Sequence, residues 1–327
     1  MKLDVLRSCI IPSVCYGGEL FGMNKSLVSK LESVWGKAVK MLVKGWGYSA
    51  VSVLQYEMGL SSVYEATSAM RVRAFKKFPT LSTLIADVCA SPVRGAWFAQ
   101  TRSWIRRLMG EEWVGATANV MKGVKSGMRE EKLAMWAGSE SSSMPKGAVM
   151  YARHEFNLSR SYVSVFLKFC STNPVLYKFD SGLCSLIAMR CGAFWSAYRL
   201  AKAKLISARY LTYCPCCERR VRESVFHILF SCKAWKDDRA SALIDRKVTA
   251  VRKLLFDQES SVALLLGGAA GDELCERFSV EDSWFKGEGD TPPFFLCLVE
   301  FLTQIHSRRV SAIWQHATTA RRQSPHG

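Results

Sequence analysis

The feature that most constrains this chain is a cluster of cysteines and one histidine between residues 214 and 232. This segment holds four Cys and one His within 19 residues. Cys214 and Cys217 are separated by two residues, a spacing that lets a tight turn aim both sulfurs at one ion. His227 and Cys232, with four residues between them, meet at the end of a helical turn. Together they predict a closed Cys3His set that binds one structural Zn2+ per chain.

Two features of the cluster leave alternatives open. Cys216 lies between the first two predicted ligands and can replace either of them. Glu223 is a candidate for orienting the ring of His227 from outside the ligand set, and the alternative is a solvated helix residue. A thioredoxin-type redox pair is disfavoured, because residues 218–221 are too polar to open a helix against a sheet.

Composition places the chain among globular proteins that remain inside the cell. It has 327 residues, of which 49% are hydrophobic, enough for about two domains. No uncharged apolar window is long enough to span a membrane, and Asp4 and Arg7 interrupt any secretory leader. The 12 Cys are scattered along the chain, which favours reduced thiols over disulfides. We therefore expect no membrane partner and a location in the nucleus or cytoplasm, with the nucleus favoured.

Charge points toward a polyanionic partner. The formal net charge is +17, with +9 in residues 151–240 and −1 in residues 241–327. A basic field of this kind favours nucleic acid through counterion release, although many basic proteins merely have solvated lysine faces.

Helical spacing dominates the pattern of apolar residues, so the predicted fold is mainly α. Residues 24–44 are predicted to form an amphipathic helix with Asn24 as its N-cap. The residues of its predicted apolar face are Leu27, Val28, Leu31, Val34, Trp35, Ala38, Val39 and Leu42. The predicted domains are 1–137, a helical domain; 138–150, a polar linker; 151–210, a helical lead-in; 211–240, the zinc knuckle; and 241–327, a C-terminal helical region of unknown role.

Several motifs resemble the region downstream of the polymerase palm in reverse transcriptases of non-LTR (LINE-type) retrotransposons. The Cys-Pro-x-Cys and His-x4-Cys pattern, followed by Trp235 and Arg239, is similar to the zinc-binding module of that family. Residues 12–21, Pro-Ser-Val-Cys-Tyr-Gly-Gly-Glu-Leu-Phe, resemble the start of its thumb, and residues 57–60, followed by a basic helix, resemble its connector. Arg190-Cys191-Gly192 is similar to the Arg-x-Gly element before the knuckle. The resemblance covers roughly residues 3–78 and 183–240.

The resemblance implies a helical thumb-like bundle, a second helical region with the zinc knuckle, and a missing N-terminal polymerase region of the same element as partner. The palm's catalytic aspartates are expected before the thumb, and Asp237-Asp238 lies in a polar helix that is no substitute for them. We therefore expect no enzymatic activity from this chain on its own. Its expected partner is nucleic acid, either the element RNA or a primer-template junction.

The residues expected to contact nucleic acid are basic side chains of the knuckle and of the thumb-like helices. Aromatic candidates for stacking on bases are Tyr213, Phe226 and Trp235. The alternative function is a zinc-stapled protein-protein interaction module, or a decayed, non-functional remnant of a retroelement. The predicted phosphate contacts are Arg219, Arg220, Arg222, Lys30, Lys37, Lys40, Lys44, Arg71, Arg73, Lys76 and Lys77.

Overall fold

The structure is a computed structural model, and it describes residues 5–42, 50–90, 96–111, 120–138, 146–153, 156, 178–242, 244, 258–267 and 294–322. These residues form helices and turns and contain no strand, which confirms the mainly α prediction. None of the described helices combines the length and the apolar character that a membrane-spanning segment requires.

The α-helices are numbered here in chain order. They are α1 (Ile11–Val14), α2 (Gly18–Phe21), α3 (Lys25–Leu42), α4 (Val51–Glu57), α5 (Val63–Lys77), α6 (Leu84–Ala90), α7 (Ala96–Met109), α8 (Val120–Ala137), α9 (Lys146–Arg153), α10 (Asp180–Arg190), α11 (Ala197–Lys202), α12 (Lys236–Ser241), α13 (Gln258–Leu265) and α14 (Phe294–Arg322). Short 3-10 segments are Phe78–Thr80, Ala208–Leu211 and Lys233–Trp235, and π-helical segments are Leu6–Ile10 and His227–Ser231.

The chain divides into two compact units. The first comprises residues 1–42 and 60–144, and the second comprises residues 43–59 and 145–327. The break after residue 144 falls inside the predicted linker. Residues 43–59 belong to the second unit, whereas the sequence pattern placed them in an uninterrupted domain of residues 1–137. The divisions predicted within residues 151–327 stay predictions.

Helix α3 begins where the sequence predicts, because Asn24 caps it. The side-chain Oδ1 of Asn24 accepts hydrogen bonds from the backbone N–H groups of Ser26 at 3.1 Å and Leu27 at 3.3 Å. The predicted apolar face is partly wrong: Leu27 and Val34 are 60% and 64% exposed. The side chains of this helix that are buried include Val28, Trp35 and Val39.

The first unit is built around α5, whose start is fixed by a capping box. Ser62 Oγ accepts the N–H of Glu65 at 3.1 Å, and the Glu65 carboxylate accepts the N–H of Ser62 at 2.9 Å. The buried face of α5 packs against α7 and α8. The apolar side chains of that cluster are Ala69, Val72, Phe75, Trp104, Ile105, Val124 and Met128.

Close approach between α2 and α5 requires glycine at two positions. A Cβ atom at Gly22 would lie 2.3 Å from the carbonyl oxygen of Thr67, and one at Gly18 would lie 2.8 Å from the Thr67 methyl carbon. The Tyr-Gly-Gly segment that precedes this contact forms a turn in which Gly17 has φ +73°.

The second unit has α10 packed on α14. A Cβ atom at Gly182 would lie 2.0 Å from the carbonyl oxygen of Val299, so the two backbones nearly touch. The Gly182 N–H donates to Thr303 Oγ1 at 3.1 Å, which satisfies one of the open donors in the first turn of α10. The buried face of α14 includes Phe295, Leu298, Phe301 and others of similar size.

A buried ion pair explains why α4 belongs to the second unit. Arg190 Nε lies 3.0 Å from Glu57 Oε1, and both side chains are fully buried. Tyr151 donates to Glu57 Oε2 at 2.5 Å, and Arg190 also donates to the carbonyl oxygen of Phe156 at 3.0 Å. Burial, with a contribution from the Glu57 charge, raises the pKa of Tyr151, which keeps the phenol protonated as a donor.

The close packing of Gly22 predicts a strong and specific effect of one methyl group. We expect Gly22→Ala to destabilise the first unit by about 2 kcal/mol, because the added carbon overlaps backbone atoms that cannot rotate away. Gly127→Ala, in the interior of α8, is the matched control: the nearest atom to its Cβ would be 3.4 Å away. It is expected to stabilise by about 0.5–1 kcal/mol through helix propensity. Urea unfolding of both variants measures the difference, and equal effects would contradict the packing described here.

Candidate metal centre

The structure brings the four predicted ligands together. One ligand atom from each of Cys214, Cys217, His227 and Cys232 lies within 4.8 Å of the others. Cys217 Sγ and His227 Nε2 are 3.4 Å apart. His227 is 4% exposed, and Cys214 and Cys232 are also buried.

These separations suit a tetrahedral centre. With metal–sulfur bonds of ~2.3 Å and metal–nitrogen bonds of ~2.0 Å, tetrahedral angles place sulfur ~3.8 Å from sulfur and ~3.5 Å from nitrogen. The observed Cys217–His227 separation of 3.4 Å is close to the second value. The four residues can therefore hold a metal ion with no open coordination position.

A tight turn supplies the first pair of ligands. The Glu218 N–H donates to the Cys214 carbonyl oxygen at 2.9 Å, and the Cys214 N–H donates to the Arg219 carbonyl oxygen at 3.1 Å. Glu218 adopts φ +54°, a conformation that is costly for a residue with a side chain. The left-handed residue closes the turn so that Cys214 and Cys217 face the same point.

A π-helical turn supplies the second pair. Ser224 caps its start, because Ser224 Oγ accepts the N–H of His227 at 3.1 Å. The N–H of Cys232 then donates to the His227 carbonyl oxygen at 2.7 Å, spanning five residues. Arg239, which is buried, donates to the Cys232 carbonyl oxygen at 3.1 Å and fixes the end of the turn.

Ser231, and not Glu223, orients the histidine ring. Ser231 Oγ lies 3.1 Å from His227 Nδ1, so that Nδ1–H donates to the hydroxyl when Nε2 faces the metal. Glu223 is neither the orienting group nor a solvated residue, because it is fully buried and its partners lie elsewhere. Both sequence-based expectations for Glu223, that it orients the His227 ring or that it is solvated, are therefore wrong.

Glu223 is paired with Arg309 of helix α14. Arg309 Nε donates to Glu223 Oε1 at 2.9 Å, and Arg309 Nη2 donates to Glu223 Oε2 at 2.8 Å. Glu223 Oε2 also accepts the N–H of Ala197, the first residue of α11. Arg309 donates its other Nη2 bond to the Trp195 carbonyl oxygen at 2.7 Å. One buried carboxylate thus ties the knuckle to α11 and α14.

Cys216 contacts Glu223. Its Sγ lies 3.7 Å from Glu223 Oε1, and with Cys214 and Glu223 it forms a second group of potential ligands. The Glu223 carboxylate is already occupied by Arg309, which favours the set with Cys217. Hydrogen bonds from Cys216 and Cys232 hold the pKa of Cys214 well below its usual range. The hydrogen bond to Cys214, burial and the charge of Glu223 raise the pKa of Cys216.

The knuckle exposes its arginines. Arg219, Arg220 and Arg222 are exposed and lie between the second and third metal ligands. Arg222 stacks on the ring of Tyr198 at 5.5 Å. No carboxylate among the described residues forms an ion pair with any of the three.

The other predicted phosphate contacts differ in exposure. Lys30, Lys37, Arg73 and Lys77 are exposed, and Lys40 and Lys76 are half-buried. Lys44 lies outside the described residues. Arg71 differs from the expectation of a surface contact, because it is 5% exposed and donates to oxygens of its own unit.

The predicted aromatic residues are mostly packed. Trp235 is buried, which removes it as a surface platform in this structure. Phe226 and Tyr213 are half-buried, and Phe226 stacks on Phe230 with ring centroids 4.8 Å apart. Asp238, of the Asp237-Asp238 pair in α12, is ion-paired with Arg308.

Two residues that support the centre escaped the sequence analysis. Ser231 is four residues after His227, a helical spacing that offered a signal. Arg309 lies 86 residues beyond Glu223, and no local pattern connects the two.

The position of Ser231 predicts a measurable loss of metal affinity. We expect Ser231→Ala to weaken zinc binding about tenfold, because the histidine ring loses the acceptor that sets its orientation and tautomer. Ser231→Thr keeps the hydroxyl and is expected to bind zinc as the parent chain does. Competition with a chromophoric chelator measures both. Equal affinity of the Ala and Thr variants would show that the hydroxyl does not support the ligand.

Comparisons with known proteins add no family to these observations. No protein-family model, curated protein or solved structure matches this chain. The resemblance to LINE-type reverse transcriptases therefore stays an expectation from its sequence motifs.

Proposed function

We propose that this chain binds nucleic acid through an arginine-bearing loop that a structural zinc ion holds in place. The observation that supports this proposal most directly is the position of Arg219, Arg220 and Arg222. They are exposed, and they lie in the short segment between the ligands Cys217 and His227.

Zinc is the metal that this donor set suits best. Three thiolates and one imidazole in a compact cluster are typical of structural zinc sites, and soft sulfur ligands disfavour magnesium and calcium. Four protein ligands leave no position for a catalytic water. The ion is therefore proposed to stabilise the knuckle and not to catalyse a reaction.

The metal limits the motion of the arginine loop from both sides. Cys217 anchors its start, and the Cys214 N–H also holds the Arg219 carbonyl oxygen. His227 anchors its end, and the buried Glu223 fixes the middle to Arg309. An ordered loop loses less side-chain entropy when it binds phosphate than a flexible tail would.

Phosphate contacts from these arginines position a strand without reading its sequence. Lys30, Lys37, Lys40, Arg73, Lys76 and Lys77 are further candidates for such contacts, and Phe226 and Tyr213 are the remaining candidates for stacking. The net charge of +17 favours association with any polyanion and makes affinity dependent on salt.

The sequence motifs extend the proposal to a biological context. We propose that the chain is the C-terminal portion of a LINE-type reverse transcriptase, with an N-terminal polymerase region as its partner. In this context the chain itself carries no polymerase active site, and its ligand is element RNA or a primer-template junction.

Zinc content tests the first half of the proposal. We expect elemental analysis of the reduced chain to find one zinc per molecule, and expect Cys214→Ser, Cys217→Ser and His227→Ala to lose it. Cys216→Ser is the matched control and is expected to keep the ion, because Cys216 faces Glu223. A folded, reduced chain without zinc would contradict the proposed centre, and zinc loss in Cys216→Ser would contradict the ligand set.

Charge removal tests the second half. We expect the triple variant Arg219→Gln, Arg220→Gln, Arg222→Gln to bind single-stranded RNA more weakly and to reduce the slope of log K against log salt by ~2, since each lost contact removes ~0.7. Fluorescence anisotropy at several salt concentrations measures both quantities.

The control for this experiment removes the same charge elsewhere. Arg102, Lys125 and Lys202 are exposed and lie outside the proposed contacts. Their replacement by Gln is expected to leave the slope nearly unchanged. Equal effects of the two triple variants would mean that only net charge matters. RNA binding that is absent from the zinc-loaded parent chain would favour the alternative, a zinc-stapled module that binds protein.

A further inference from the structure

Arg71 is a buried cation, and none of its partners among the described residues is a carboxylate. Its guanidinium donates to Thr101 Oγ1 at 2.9 Å, to the Gly22 carbonyl oxygen at 2.7 Å, and to the Trp97 carbonyl oxygen at 3.1 Å. A fourth contact, to Gln100 Oε1, is 3.5 Å long. All four acceptors are neutral, and one N–H of Nη1 has no acceptor among the described residues.

Two other deeply buried arginines have a carboxylate partner. Arg190 pairs with Glu57, and Arg309 pairs with Glu223. A buried charge normally finds an opposite charge, because desolvation is costly and neutral hydrogen bonds offset it only in part. Burial lowers the pKa of Arg71, and no carboxylate acts in the opposite direction. The Trp97 ring, whose centroid lies 5.1 Å from the Arg71 guanidinium, and the neutral acceptors are its described contacts, and none of them carries a negative charge.

Arg71 lines a pocket of the first unit. The pocket has a volume of about 840 Å³. Lys25 and Arg107 also line it, and both are exposed to solvent. No carboxylate is among its lining residues, which include the polar side chains of Ser103 and Gln100. The pocket thus presents three cations and no anion.

The N-terminus of α3 lies at the same pocket but does not create the site. Asn24 already accepts the N–H groups of Ser26 and Leu27, so these donors are satisfied within the chain. The positive potential comes from the side chains of Arg71, Lys25 and Arg107. One Nη1 N–H of Arg71 has no acceptor among the described residues, and the side chains of Lys25 and Arg107 add further donors. Charge-assisted hydrogen bonds from such cations to phosphate oxygens are strong, which favours a phosphoryl group as the ligand.

We propose that this pocket binds a phosphoryl group, with Arg71 at its base and Lys25 and Arg107 at its opening. The volume exceeds that of a phosphate ion and lies within the range of sites for small organic ligands. The phosphoryl group therefore belongs either to free phosphate or to a nucleotide, alone or at the end of a strand. The zinc centre takes no part, so this site goes beyond the proposed function and stands without it.

Calorimetry on the full zinc-loaded chain tests the site with four probes. These are inorganic phosphate, AMP, a 5′-phosphorylated RNA decamer and the same decamer without the 5′-phosphate. We expect inorganic phosphate or AMP to bind. If AMP binds no more tightly than inorganic phosphate, the ligand is free phosphate. If AMP binds more tightly, the ligand is a nucleotide. If the 5′-phosphate strengthens binding of the decamer, the ligand is the end of a strand.

Variants at the opening avoid the risk of unfolding the core. Arg107→Gln and Lys25→Gln are each expected to weaken binding of the best probe about tenfold, the value of one charge-assisted hydrogen bond. Arg102→Gln, on the same helix α7 but outside the pocket, removes the same charge and is expected to change affinity less than twofold. Circular dichroism confirms that each variant is folded.

Two results would overturn the proposal. One is a folded parent chain that binds none of the four probes. The other is binding that Arg107→Gln and Lys25→Gln leave as tight as in the parent chain. A failure of the phosphate-site proposal can be told apart from a failure of the proposed zinc-knuckle function. The triple Gln variant of Arg219, Arg220 and Arg222 is expected to keep its affinity for phosphate, and Arg107→Gln is expected to keep its zinc.

Discussion

The pairing of Glu223 with Arg309 is the contact on which the geometry of the knuckle depends. A carboxylate buried between two metal ligands would be unstable without a counter-charge, and removal of one partner from such a pair costs about 3–5 kcal/mol. Arg309 supplies that charge from helix α14, and Ala197 supplies a backbone donor from α11. The knuckle therefore does not fold as an isolated metal loop. Helix α14, which lies far downstream in the sequence, completes the knuckle.

Arginine has two opposite uses in this chain, and burial separates them. Arg190, Arg239 and Arg309 bind carboxylates or carbonyl oxygens inside the second unit and hold α4, the π-helical turn and α14 in place. Arg219, Arg220 and Arg222 are exposed and carry charge without a structural task. Arg71 belongs to the buried group in the first unit, but its acceptors among the described residues are neutral and it lines a pocket, and this is why it points to a ligand.

The sequence anticipated features that depend on neighbouring residues. The spacing of Cys214, Cys217, His227 and Cys232 indicated that a tight turn and a helical turn can bring the four residues to one point. The Asn24 cap is local in the same sense. The face of α3 was only partly predictable, because Leu27 and Val34 share the three-and-four spacing of the apolar residues, and packing against α5 decides which of these side chains are covered.

What the sequence by itself determined is the helical class, the metal ligand set and the basic character of the chain, since each follows from residue type at short range. Tertiary structure decided that Ser231 orients His227, that Glu223 belongs to Arg309, that Glu57 belongs to Arg190, and that Arg71 is buried. Two of these four facts join residues that are distant in the chain. The physical reason is that a charge is buried where tertiary packing places a partner beside it, and the spacing of residues along the sequence does not show which distant residues come into contact.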